Sequence, residues 1–320
     1  MNDVRPKIVI AVIVSVFAIG VVGCGERKPL STREIIEQVN ASGKITDAQA
    51  EILSKVSRLN LNGLTSITDT QAERLSKVDT LHLDGLTTIT AAQAKGLSKV
   101  ESLHLNGIAS ITNAQAEVLS GCQALSLNGL TSITDTQAEI LGKVESLLLG
   151  GLTSITEAQA ESLGQNKNAK TLGLGGLRTI TDKQAESLSS VFFLGLPGLI
   201  SITEAQAESL SKVQHLSLNG LTSITDLQAE SLSKVYFLSL DGLLSINDKQ
   251  AESLSKVQCL FLTGLTSITE KQAESLGKVE SLLLGGLTSI TDAQAKRLSK
   301  VEDLTISEAL QPLIDKYKNQ

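Results

Sequence analysis

Tryptophan is absent from this 320-residue chain, and aromatic side chains of all kinds make up only 2% of it. Clusters of lysine and arginine are missing too, and the net charge is −6, which argues against nucleic acid as a partner. No P-loop, HExxH or nucleophile elbow occurs, so neither catalysis nor a cofactor is expected. The stretch Gly173-Leu174-Gly175-Gly176-Leu177-Arg178 starts like a dinucleotide fingerprint but lacks its last glycine, and reads as a glycine-rich strand and turn. Long hydrophobic runs are limited to one, Ile8 to Gly23, roughly 16 residues where a membrane-spanning helix needs ~20. Arg5 and Lys7 precede it and Cys24 ends it, the layout of a cleaved signal peptide over residues 1–23.

Val21-Val22-Gly23-Cys24 resembles the lipobox of bacterial lipoproteins. The resemblance implies a diacylglyceryl anchor on Cys24, whose acyl chains contribute about 0.8 kcal/mol per buried methylene. The alternative is an ordinary cysteine in an uncleaved signal anchor; either way the remainder faces the far side of the inner membrane. Gly25 in place of Asp is, by the convention of that family, compatible with export to the outer membrane. A lipid-anchored protein of the bacterial cell envelope, at the outer rather than the inner membrane, is therefore expected. Residues 24–30 form a tether of roughly 20 Å at most. Loss of residues 1–23 leaves a net charge near −7.

What the chain has in abundance is one phrase. GLTSITDTQAE stands at residues 63–73 and again at 129–139. The first leucine of a Leu-x-Leu recurs at Leu59, Leu81, Leu103, Leu125, Leu147, Leu172, Leu194, Leu216, Leu238, Leu260, Leu282 and Leu304. The period is 22 residues except for one step of 25. Alternating leucines, as in VESLLLGGL at 144–152, predict a short half-buried strand. Gly63, Gly85, Gly107 and Gly129 are expected to turn the chain after it. Thr68-Asp69-Thr70-Gln71 then forms a capping box that opens a helix. Twelve such boxes run from Thr46/Gln49 to Thr291/Gln294, with Asn247 replacing Thr once, and ten carry Asp or Glu at the first helical position, where the helix dipole favours it. Ile67 and Ala72 make a hydrophobic staple, and Glu73 with Lys77 is expected to pair along the outer helix face. One unit cannot bury its apolar side alone, whereas a stack builds a continuous core.

The pattern L-x-L-x-G-L-x-x-I-T-D-x-Q-A-x-x-L resembles the leucine-rich repeat superfamily, especially its ITD-type members, although these carry Cys where Leu64 stands here and have a longer unit. With the lipobox, the chain looks most like a bacterial leucine-rich repeat lipoprotein. The resemblance implies an α/β solenoid, a right-handed horseshoe or arc of about twelve 22-residue repeats over residues 44–306, with ligand binding as its usual role. Ser31-Thr32-Arg33-Glu34 is a further capping box, opening an N-terminal capping helix over 31–43 with Ile35, Ile36 and Val39 turned to the first repeat. Residues 307–320 form a C-terminal cap, with Pro312 at the first position of its helix. The extra residues fall in GQNKNAKT, 164–171, expected as a bulge between helix and strand.

Three sets of residues are candidates for chemistry. Cys122 and Cys259 lie six repeats apart, about 30 Å at strand spacing, far beyond the ~7 Å a disulfide spans, so both are expected as free thiols, Cys122 as core filler in place of Val. His82 and His104 occupy the x of Leu-x-Leu in adjacent repeats, with Asp84 beside them. They could hold a divalent metal or form a polar ladder with Asn60 and Asn106; the ladder is favoured and no metal is expected. The third set is aromatic. Beyond Phe17, five of the six Phe and Tyr residues fall between 192 and 261: Phe192, Phe193, Tyr236, Phe237 and Phe261.

Side chains flanking the first leucine of each strand point to the exposed, concave sheet face. Phe193, His215, Phe237 and Cys259 precede it in four successive repeats; Phe261 and Leu283 follow it. They define a candidate apolar stripe for a protein or peptide ligand. The alternative is that these side chains are extra core, and Phe192 and Tyr236 are either buried or at the rim. Farther N-terminal the same column is small and polar: Thr80, Ser102, Ala124, Ser146. The leading expectation is thus a membrane-tethered binding platform for a protein or peptide on the concave sheet. The alternatives are a structural envelope protein without a specific ligand, and carbohydrate or cell-wall binding through ring stacking.

Overall fold

The computed structural model describes residues 30–165 and 170–318. The expected signal peptide at 1–23, the expected lipid site Cys24 with all of the expected tether but Leu30, and part of the 164–171 insertion lie outside the described residues. Every Leu-x-Leu forms a strand of three or four residues, from β1 (Arg58–Asn60) to β12 (Asp303–Ile306), and the strands pair in chain order into one twelve-stranded sheet, parallel throughout. The register sets leucine on leucine, Leu59 opposite Leu81 and Leu81 opposite Leu103. The two-residue strand period sends both leucines of a strand to one face, where a row of helices covers them and Leu81 and Leu83 have no exposed surface. One helix of seven or eight residues accompanies each repeat, α2 (Asp47–Leu53) through α13 (Asp292–Leu298), between the terminal helices α1 (Thr32–Ser42) and α14 (Gln311–Lys318). None of the described helices is long and apolar enough to cross a membrane.

Helices this short do not persist alone in water. All twelve capping boxes form; at Thr68 the side chain accepts from the Gln71 amide at 3.2 Å while Gln71 Oε1 accepts from the Thr68 amide at 2.9 Å. The same glutamines have a second task. Gln71 Nε2 donates to the Ile45 carbonyl of the preceding repeat at 2.9 Å, and the bond recurs up to Gln294 and Ile268, at 2.7 Å. A parallel ladder runs along the strand ends, where Asn62, Asp84, Asn106 and Asn128 each accept through Oδ1 from the amide one repeat on. It lapses where Gly150, Gly175 and Pro197 supply no such oxygen, and resumes at Asn219 and Asp241.

The core these ladders enclose is aliphatic: Leu, Ile, Val and Ala with Cys122, and no ring is buried in it among the described residues. Burying one leucine contributes about 2 kcal/mol, against roughly 0.5 kcal/mol for a surface ion pair, so the stack is held by its leucines. Ile35 and Val39 of α1 close one end, where Asn40 Oδ1 accepts from the Gly63 amide at 2.8 Å; Ile314 of α14 closes the other.

Gly63, Gly85, Gly107 and Gly129 lie in the turns after their strands as expected, and do so without left-handed backbone: among the described residues Gly43, which ends α1, is the only glycine with positive φ, at 70°. A Cβ on Gly85 would lie 2.4 Å from the Asn62 carbonyl oxygen, and one on Gly107 2.2 Å from that of Asp84. Glycine is required there because successive turns stack backbone on backbone. Two expectations need correction. Glu73 pairs not with Lys77 in its own helix but with Lys99 of the next repeat, as Arg74 does with Glu51 at 2.9 Å. The staggered helices bring charges of neighbouring repeats closer than those a turn apart. Pro312, lastly, is the second residue of α14, which starts at Gln311. The insertion leaves the sheet unbroken, since β5 (Ser146–Leu148) and β6 (Thr171–Gly173) stay paired Leu147 to Leu172.

Candidate binding face

The face opposite the helices is made of the residues flanking the first leucine of each strand. On β7 (Phe193–Gly195), β8 (His215–Ser217), β9 (Phe237–Ser239) and β10 (Cys259–Phe261) the preceding column reads Phe193, His215, Phe237, Cys259, all half-buried and in register. His215 lies between two rings, 6.0 Å from Phe193 and 5.5 Å from Phe237 by centroid, both stacked. Phe237 meets Phe261 edge-on at 4.7 Å. Leu283, on β11 (Ser281–Leu284), is half-buried beside Phe261. Such pairs contribute ~1 kcal/mol each beyond their burial, enough to order the row while leaving its outer surface open.

Phe192 and Tyr236, one residue earlier, reach over the same histidine at 4.8 and 5.8 Å and are 50% and 45% exposed. They form the rim. Across the sheet from them Ile200 and Leu244 stand out at 57% and 67% exposure, as does Leu227 on a helix. Sequence reasoning missed these three, although Ile200 and Leu244 occupy the position filled by Thr65, Thr87, Thr131, Thr153 and Thr222 elsewhere, and column-by-column comparison would have flagged them. They fall in the same two repeats as the paired aromatics. Beside the ring row lies a strip of small residues, Gly173, Gly195, Ser217 and Ser239, of which Gly195 and Ser239 are buried and Gly173 and Ser217 half-buried, bounded by Leu148 and Phe261. A Cβ on Gly195 would meet nothing closer than 3.7 Å, so packing does not require glycine there.

His82 on β2 (Thr80–His82) and His104 on β3 (Ser102–His104) stack at 3.9 Å with 15° between planes. Burial, and then the neighbouring His82, push the His104 pKa below its ordinary value, with Asp84 opposing. Asp84 Oδ1 accepts from the Asn106 amide at 3.0 Å as a member of the strand-end ladder. Among the described residues no three His, Cys, Asp or Glu are gathered so as to hold a metal ion. Both cysteines are free; burial pushes the Cys122 thiol up to about 12, and burial with Glu280 nearby also raises Cys259. Neither thiol is poised as a nucleophile.

No protein-family model matches the chain, and no curated protein matches it in sequence. Solved structures do match in fold. A leucine-rich repeat protein of Leptospira interrogans superposes with a TM-score of 0.52 at 20% identity, over 84% of this chain and 72% of that one. A chain of the Drosophila Toll–Spatzle complex gives 0.52 at 16% identity, covering 82% of this chain and 41% of that one. One from the TLR13–ssRNA13 complex gives 0.51 at 20%, covering 87% and 45%. Identities this low speak to fold alone. Joined to the twelve in-register strands, eleven Leu-x-Leu and one Leu-x-Ile, they define this chain as an α/β leucine-rich repeat solenoid of about twelve repeats.

Proposed function

We propose that this chain is a binding platform of the bacterial cell envelope, tethered by a lipid on Cys24 and holding a protein or peptide on its open sheet face through Phe193, His215, Phe237 and Phe261. The observation that carries the reading is where rings are and are not. The core uses none, all three histidines and the five aromatics between 192 and 261 lie on or beside one sheet face, and among the described residues only Tyr317 lies elsewhere. A scaffold that folds without rings carries them for another purpose, and exposed clustered aromatics favour association. Two structural neighbours come from complexes, one with Spatzle and one with single-stranded RNA. For this acidic chain, without a basic patch, a protein or peptide is the better-supported partner. The reading assigns no catalytic role and no cofactor.

Affinity capture from envelope extract tests it, with the wild-type chain beside a Phe193→Ser, Phe237→Ser variant of unchanged circular dichroism. A partner held by the first and lost by the second is expected; equal capture by both would remove the site from this face. Competition by soluble glycans would transfer the same rings to sugar stacking. Cys24→Ala is expected to abolish incorporation of labelled fatty acid and release the chain from the membrane fraction.

A further inference from the structure

The ring-bearing face carries no formal charge. From β2 to β11 neither column flanking the first leucine contains Asp, Glu, Lys or Arg. At the strand-exit edge the only carboxylates of the ladder, Asp84 and Asp241, are hydrogen-bonded within it; at the edge where the chain enters the strands charge is distributed unevenly about the rings. On the N-terminal side Lys170 is paired with Glu145. Phe192, Gln214, Tyr236 and Gln258 follow, all uncharged. Beyond them Glu280, Glu302 and Asp303 are exposed, and none has a cation within ion-pair distance among the described residues. Glu280 accepts from Gln258 and Asp303 from Ser281 Oγ, at 2.9 Å, and both side chains are exposed. The strip of small residues beside the rings runs from β6 to β9, about 15 Å at strand spacing, the length of four or five extended residues.

Resting on the platform reading, we infer that the occupant is an extended peptide segment, its apolar side chains against Phe193, Phe237 and Phe261, with a lysine- or arginine-bearing end directed over Glu280, Glu302 and Asp303. The rings supply affinity and the carboxylates supply direction, since charge at a rim orients and selects more than it tightens. A backbone fits along the small residues, touching half-buried Ser217 and passing over buried Gly195, where a folded surface would be held off by the flanking rings. An anionic end is repelled at the β11–β12 side.

The test is selection of a random twelve-residue peptide library, displayed on phage, against the immobilised full-length chain. Enriched peptides are then measured by fluorescence anisotropy on four chains: wild type; Phe193→Ser with Phe237→Ser; Glu280→Gln with Glu302→Gln and Asp303→Asn; and Gly195→Leu. Each is first checked by circular dichroism. The expected result is enrichment of apolar sequences with Lys or Arg in excess of Asp and Glu. Their binding should be lost on the ring variant, weakened about tenfold on the charge variant, as three exposed pairs would give, and blocked by Gly195→Leu. Ring-dependent peptides without a cation excess, unaffected by the charge variant, would overturn this inference and leave the platform reading standing. Peptides indifferent to Phe193 and Phe237, or no enrichment at all, would overturn both.

Discussion

The repeats around β2 to β5 and those around β7 to β10 are built from one set of instructions, yet they present different surfaces. Both stack Leu-x-Leu on Leu-x-Leu, both cap every helix with Thr or Asn and Gln, and both need glycine where turn meets turn. The difference lies in the columns that the core does not use. In the first region these hold Thr80, Ser102, Ala124 and Ser146; in the second, Phe193, His215, Phe237 and Cys259. Scaffold and surface are therefore specified by separate positions of the same 22-residue unit, and the surface changes without cost to the stack. Between the two regions the strand-end ladder lapses, at Gly150, Gly175 and Pro197, so the change of surface coincides with a change of edge.

If the regions share one scaffold, equivalent core deletions must cost the same in each. Leu103→Ala and Leu238→Ala, both fully buried, are each expected to lose about 3 kcal/mol, read as shifts of the urea midpoint; a clear inequality would show that the second region is braced by its rings. Binding should break the symmetry the other way. Phe193→Ser with Phe237→Ser is expected to weaken ligand capture by at least ~2 kcal/mol with little change of midpoint, while Thr80→Ala with Ser102→Ala changes neither. A smaller effect, again equal in both regions, is expected from Gln137→Ala and Gln250→Ala, about 1–2 kcal/mol each, since each leaves an N-cap amide and an isoleucine carbonyl of the preceding repeat without their partner.

The smallest effect belongs to the first region alone. The His104 pKa is lowered below its ordinary 6.5, so the folded chain holds that proton less well than the unfolded one. Stability from this residue is whole above pH 6.5 and falls as the pH drops toward the folded value. Acidification from pH 7.5 to 5 should therefore lower the urea midpoint of the wild type more than that of His104→Asn, and an identical slope for the two would discard the effect.

The fold was legible because the sequence states it a dozen times: no single strand of three residues or helix of seven could have been assigned with force from one copy. The capping boxes were equally legible, since Thr68 and Gln71 are three residues apart and their bonds are local. What escaped were contacts between copies. The pairing of Glu73 with Lys99, the bond from Gln71 to Ile45 and the clearance at Gly85 all join positions about one repeat apart, where rules for neighbours on one helix or turn have no reach. On the candidate face the column of rings could be read from the strand period. Ile200 and Leu244 could not be read from that period, because their position is set by a turn, and only comparison of that column across the repeats singles them out.

The glutamine and asparagine ladders share a sense of direction. Gln71 reaches back to Ile45, and the amide of Asp84 reaches back to Asn62; in each case the later repeat depends on an acceptor belonging to the earlier one. A chain that leaves its synthesis or export machinery amino end first would always find the next docking surface already assembled, and could lock repeat by repeat as it emerges. In these two ladders shortening from the carboxyl end at a repeat boundary leaves spare acceptors, whereas in the sheet the amides of Leu61 and Leu83 donate forward to the His82 and His104 carbonyls and would lose them. Shortening it from the amino end strands the donors of both ladders, so the side-chain bonds give the stack a polarity that the two-way strand bonds do not have.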